Sequence, residues 1–238
     1  MSSQNASLTT PYPWQAAIVD LDGTLVDTLG DFELALNRSL AELGLSGVDR
    51  AFIEHTVGKG SAHLLRSTLA HVQADAAHYD ALWSAYQRHY LAINGQASAV
   101  YPGVVEGLTR LREAGLRLAC LTNKPTAFAR PLLQAKGLAG FFIHVFGGDA
   151  FERTKPDPLP LLRTCEALGT APAFTLMVGD SSNDARAARA AGCPVVLMAY
   201  GYNHGEPPES AHPDAVLARL DALDLATLAP GAQAPSDA

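Results

Sequence analysis

Charge is scarce in this sequence: 17% of its 238 residues are Asp, Glu, Lys or Arg, and acids prevail to give a net −7. Nucleic-acid binding needs clustered Lys and Arg, so no nucleic-acid partner is expected. Cysteine is sparser still. Cys120, Cys165 and Cys193 are odd in number, far apart and free of any C-x-x-C pattern, so reduced cytosolic thiols are the expectation. No apolar run reaches the ~18 residues of a membrane helix, and "MSSQNASLTTPYPWQ" lacks the basic start and apolar centre of a secretory signal. A cytoplasmic protein with no membrane partner is predicted. Hydrophobic residues, at 48%, are ample. A chain of this length forms one large domain or two smaller ones and buries about 70–75% of its unfolded surface.

Short continuous apolar runs recur at residues 15–21, 116–122, 144–148, 174–180 and 194–199. Such runs fit strands covered on both faces. Helical stretches separate most of them and stop at glycine, as "VVEGLTRLREAG" does at Gly115 and "NDARAARAAG" at Gly192. The alternation predicts an α/β fold with a doubly wound, Rossmann-like parallel sheet. Residues 29–99 differ, with helix periodicity and no convincing strand. Phe32, Leu36, Leu40 and Leu43 share one face, and Thr28 with Asp31 forms a capping-box-like start. The expected organisation is a flexible N-terminus (1–13), an α/β core (14–28 and 100–227), a small all-helical cap (29–99) inserted after the first strand, and a disordered Ala- and Pro-rich tail (228–238). Five of the eight histidines fall in the insertion without His-x-x-x-His spacing, and no role is assigned to them.

In an open α/β sheet, ligands bind beyond the carboxyl ends of the strands. The first strand ends in Asp20 and Asp22, the second in Thr122 and Asn123, and "LMVGDSSND" in Asp180, Ser181 and Asp184, while Lys155 follows the third run. Asp20, Asp180 and Asp184 are hard oxygen ligands of the kind Mg²⁺ takes, and a divalent cation offsets repulsion among them. Lys155, the Thr122 hydroxyl and backbone N–H groups around Gly23 can then hold phosphoryl oxygens. One carboxylate can attack phosphorus to form an aspartyl-phosphate. The other can protonate the leaving alcohol and later take a proton from water. That second group must carry a proton part of the time near neutrality, and burial among negative charges is the environment that favours this. Asp184 also suits a helix N-terminus. "TVGKGSAHLL" lacks phosphate-loop order, because Gly60 separates Lys59 from Ser61.

Four stretches in order, "DLDGTLVDT" (20–28), "LTNKP" (121–125), "KPDP" (155–158) and "VGDSSND" (178–184), resemble the motifs of the haloacid dehalogenase-like phosphohydrolases. The resemblance spans roughly Trp14 to Leu225. It implies Asp20 as nucleophile and Asp22 as general acid/base, the Asp22 backbone carbonyl also binding Mg²⁺. It implies Thr122 and Asn123 as phosphoryl-binding residues and Lys155 as the cation stabilising the nucleophile and the transferred group. Asp180 is implied as a direct metal ligand, Asp184 as a supporting acid, and the helical insertion as the cap. Residues 179–223, with "GYNHGEPPE", resemble the bacterial phosphoglycolate phosphatase group. This implies hydrolysis of 2-phosphoglycolate to glycolate and phosphate, with Lys59 on a cap loop contacting the substrate carboxylate.

Other outcomes share this scaffold: a phosphatase for a sugar phosphate or pyrophosphate, a sugar-phosphate mutase, or a phosphonatase using Lys59. From a different class, an inactive phosphate-binding module would need no acid/base, so the pairing of Asp20 with Asp22 argues against it. The expected partner is a small phosphorylated metabolite, and the expected state is a monomer or homodimer.

Overall fold

A computed structural model describes residues 13–228, so the expected flexible N-terminus and disordered tail fall almost wholly outside the described residues. Strand β1 (Ala16–Val19) leads to the two-residue β2 (Val26–Asp27). Helices α1 (Leu29–Glu42), α2 (Arg50–Thr56), α3 (Ser61–His71) and α4 (Tyr79–Ile93) follow before β3 (Ala99–Val100) returns to pair antiparallel with β2. Helix and strand then alternate through α5 (Val104–Glu113), β4 (Arg117–Leu121), α6 (Thr126–Ala135), β5 (His144–Phe146), α7 (Leu159–Leu168), β6 (Thr175–Gly179), α8 (Ser182–Ala191) and β7 (Val195–Met198). A last strand, β8 (Ala215–Leu217), completes the series.

The main sheet runs β5-β4-β1-β6-β7-β8 with every pairing parallel. β1 sits at its centre, and its side chains alternate between two apolar layers, as strand geometry requires. Ala17 and Val19 join Leu108 and Leu111 of α5 and Leu132 and Leu133 of α6. Ala16 and Ile18 join Leu161 of α7 and Ala185 and Ala188 of α8. Both faces are therefore covered, which is why the five apolar runs were continuous rather than alternating. The doubly wound α/β sheet expected from the sequence is the observed fold. β8 was not foreseen: it is a three-residue, partly exposed edge strand, too short to show a period.

The helical insertion has its own apolar core, built on Leu36, Leu40, Ile53, Leu65, Leu82 and Tyr86. Phe128 of α6 and Tyr202 complete that core from the sheet side. At the seam, the capping box expected from Thr28 and Asp31 is absent. Thr28 Oγ1 instead donates to Asp22 Oδ1 at 2.8 Å, and the fully buried Asp31 accepts the amides of Gly95 and Ala97, each at 2.7 Å. A buried carboxylate must be satisfied, and the returning chain supplies two amide donors. No helix among the described residues is long and apolar enough to cross a membrane.

Candidate active site

β1 and β6 are neighbours in register, so they end together: the Asp20 amide donates to the Val178 carbonyl at 2.9 Å. Asp20 and Asp180 are thereby brought side by side, and the first turn of α8 adds Asp184. One carboxylate oxygen from each of the three lies within 4.8 Å of the others, and all three residues are buried. Lys155 Nζ stands 3.0 Å from Asp20 Oδ1 and 2.6 Å from Asp184 Oδ1, and donates to the Leu121 carbonyl at 2.9 Å. Asp184 also accepts the Ser181 amide at 3.2 Å and hydroxyl at 2.9 Å. It serves the helix start with one oxygen and faces Lys155 with the other.

Asp180 is fixed by the Thr24 hydroxyl and the Tyr202 amide, each at 2.7 Å. Gly23, at φ +79°, lies so near that a Cβ there would collide with the Asp180 carboxylate. Its amide donates to the Val26 carbonyl at 3.0 Å. Of the backbone amides around Gly23 expected to hold phosphate, the Gly23 N–H itself is engaged within the tight β1–β2 turn. The turn's other bonds run from the Thr24, Leu25 and Val26 amides to Leu21 O, so these bonds bypass the Asp22 carbonyl.

Burial dominates the electrostatics of the triad. It pushes Asp20 up to about 7; the Lys155 charge opposes this, Asp184 adds to it, and the Leu21 amide opposes it. Asp180 is raised well above the usual carboxylate range by burial, then by Asp184 and Asp20. For Lys155, burial works against the charge, but the Asp184 and Asp20 carboxylates outweigh it and hold the ammonium above its usual value. Three acids and one base form a buried site short of positive charge. An all-oxygen donor set of this kind fits a hard divalent cation.

Asp22 faces different company. Its Oδ1 accepts from Lys124 Nζ at 2.9 Å and from Thr28, and its Oδ2 lies 3.2 Å from the same ammonium. The negative crowding expected around Asp22 is not what surrounds it; a cation and a hydroxyl do. Lys124 is buried, donates to the Tyr90 hydroxyl at 2.5 Å, and lies 4.4 Å from the Phe32 ring centroid and 4.5 Å from that of Tyr90. Sequence reasoning missed this residue, although it stands inside "LTNKP" next to the two that were singled out.

Thr122 and Asn123 follow β4 as expected, and both are buried. Thr122 Oγ1 accepts the Lys124 amide at 3.2 Å. Asn123 is a brace: Nδ2 donates to Lys155 O at 2.8 Å and Gly58 O at 2.9 Å, and Oδ1 accepts the Lys155 amide at 3.0 Å. Both of its side-chain donors are thus spent on fixing Lys155 and the loop after α2. That loop, with Phe32 and Leu64, closes a small cavity of about 20 Å³ over Asp20, Asp22, Lys124 and Asp180. Lys59, on the same loop, is exposed and does not line the cavity. Its charge instead depresses His63 and His204, in each case second to burial.

Residues 14–192 match the haloacid dehalogenase-like hydrolase family. The chain is similar to the phosphoglycolate phosphatase of Thiobacillus denitrificans, at 42% identity over 213 residues covering 88% of this chain and 94% of the relative. It is equally similar to the plasmid-borne phosphoglycolate phosphatase of Cupriavidus necator, at 42% over 232 residues, 96% of this chain and 99% of the relative. A crystal structure described as a predicted phosphoglycolate phosphatase from Haemophilus somnus superposes with a TM-score of 0.83 at 31% identity, covering 88% of this chain and 96% of that one. With the four motifs gathered at the carboxyl ends of one parallel sheet and a family match over most of its length, the chain belongs to the haloacid dehalogenase-like hydrolases.

Proposed function

We propose that this hydrolase is a Mg²⁺-dependent phosphomonoesterase that converts 2-phosphoglycolate to glycolate and phosphate through an aspartyl-phosphate on Asp20. The observation that carries the reading is the partition of two neighbouring aspartates across one closed cavity. Asp20 meets Lys155 at 3.0 Å inside the acidic triad, and Asp22 meets Lys124 at 2.9 Å outside it. Two carboxyls in different environments can take different roles. The phosphoglycolate phosphatases of similar sequence support the choice of substrate.

Asp20, Asp180 and Asp184, with the Asp22 carbonyl, are the groups that would hold Mg²⁺. When bound, the ion offsets their mutual repulsion and draws charge from the phosphoryl oxygens. Lys155 holds Asp20 in place and stabilises the phosphoryl group as charge develops on it. An Asp20 oxygen bonds to phosphorus as the ester P–O bond breaks, and Asp22 delivers its proton to the departing glycolate oxygen. The Asp22 carboxylate then takes a proton from water, whose oxygen attacks the aspartyl-phosphate, releasing phosphate and restoring Asp20. Asn123 keeps Lys155 in register. The helical insertion acts as the cap, excluding bulk water while the acyl phosphate exists.

The test is phosphate release from 2-phosphoglycolate, with and without EDTA, by the wild type and Asp20→Asn. The expected outcome is metal-dependent release by the wild type and a loss of at least about 10⁴-fold in the variant with its thermal melt retained. Substantial turnover by Asp20→Asn would remove Asp20 from the nucleophile role.

A further inference from the structure

Among the described residues lining the cavity, the charged side chains are Asp20, Asp22, Asp180 and a single cation, Lys124. The Lys124 side chain is 1% exposed. It is not a surface lysine reaching inward but a buried charge held between the sheet side and the insertion. Asp22 binds it from the β1 end, and Phe32 of α1 and Tyr90 of α4 enclose it from the cap. Lys155, the other buried lysine of the site, is committed to Asp20, Asp184 and the Leu121 carbonyl. One lysine thus stands beside the proposed nucleophile Asp20, and the other beside the proposed acid/base Asp22.

We infer that Lys124 is the specificity-determining residue that reads a carboxylate on the leaving alcohol, selecting phosphate esters of short 2-hydroxy acids over neutral phosphomonoesters. The inference rests on the phosphomonoesterase reading and follows from distance. The ester oxygen that Asp22 must protonate lies within hydrogen-bond reach of Asp22, about 2.5–3.0 Å. In such an ester a single carbon separates that oxygen from the carboxylate. Lys124 Nζ stands 2.9 Å from Asp22 Oδ1, so the ammonium falls beside the position the carboxylate must occupy. The other groups that the cap presents there, Phe32, Val57, Ser61 and Leu64, carry no positive charge, so without Lys124 a buried carboxylate would lack a counter-charge, which is strongly unfavourable. Lys59, the lysine expected for this task, lies outside the cavity.

The experiment compares kcat/KM for 2-phosphoglycolate with that for its neutral isostere, the phosphate ester of glycolamide, in the wild type, Lys124→Met, Lys124→Arg, Tyr90→Phe and Lys59→Gln, with thermal melts for each. The wild type is expected to prefer the carboxylate ester by about 10²-fold. Lys124→Met should erase most of that ratio through KM for the carboxylate ester, whatever common loss both substrates suffer from the altered neighbour of Asp22. Lys124→Arg and Tyr90→Phe should shrink the ratio by smaller factors, and they carry the test if Lys124→Met does not fold. The inference is overturned by a wild type without the preference, by Lys124 variants that slow both esters equally, or by a preference that disappears in Lys59→Gln instead. A wild type that turns over neither ester would sink the phosphomonoesterase reading itself.

Discussion

Two lysine–aspartate pairs stand in this site, their aspartates two positions apart, and they differ in what surrounds them. The Lys155–Asp20 pair is built from sheet-side elements and embedded in excess negative charge from Asp180 and Asp184. The Lys124–Asp22 pair stands nearly alone and is packed against the cap aromatics Phe32 and Tyr90. The first pair is short of cation and so suits a metal and a phosphoryl group. The second is balanced and in contact with the part of the chain that closes the cavity. The same pairing chemistry thus gives two environments, and in the proposed mechanism the first serves as the reacting centre and the second as a proton carrier with its own counter-charge.

Removing a partner should break the first pair more severely. Lys155→Met leaves the triad without its cation, and loss of one partner of a buried ion pair costs about 3–5 kcal/mol. The expected outcome is a lowered denaturation midpoint and activity reduced at least about 10³-fold, read by urea melts and phosphate release. Asp22→Asn should cost about 10²–10⁴ in kcat for an alkyl ester, the usual range for a general acid/base. The loss should be smaller with an aryl phosphate, whose leaving group needs no proton. Equal losses on both esters would assign Asp22 a structural role.

pH sharpens the contrast further. Burial raises Asp20 in the folded chain from 3.8 to about 7, so the native state holds a proton there that the unfolded chain releases. Its contribution to stability is full below 3.8 and is lost as pH rises through about 7. The metal-free protein should therefore melt at progressively lower temperature between pH 5 and 8. Stabilisation by Mg²⁺ should grow over the same interval, because at lower pH the ion must displace that proton. A flat Mg²⁺ effect from pH 5.5 to 8 would contradict the assignment. The smallest effect is expected at the seam, where Thr28→Val removes one hydrogen bond to Asp22 at a cost of about 1 kcal/mol, measurable as a modest shift in melting temperature.

Much of the architecture was legible because its causes are local. Doubly covered strands impose continuous apolar runs, and helix ends impose glycine at Gly115 and Gly192, both at positive φ. Five of the sheet's six strands could be anticipated from those signals, but β8, a partly exposed edge strand, could not. Asp31 reads as a helix cap in its own window and becomes a receptor for two amides more than 60 positions away. The amides around Gly23 were anticipated as phosphate donors, and the tertiary structure engages the one on Gly23 itself within its own turn.

The sequence by itself determined which chemical groups stand at the strand ends. Alternation along β1 and the motif order put Asp20, Asp22, Thr122, Asn123, Lys155, Asp180 and Asp184 there without reference to any distant partner. Only the tertiary structure decided which lysine meets which aspartate. Lys124 reaches Asp22 across 102 positions because β4 lies beside β1 in the sheet and the cap packs its aromatics onto that junction. Lys59 was left on the outer side of its loop by the same packing. An ion pair's strength depends on separation and burial, and neither quantity is written in a local stretch of sequence.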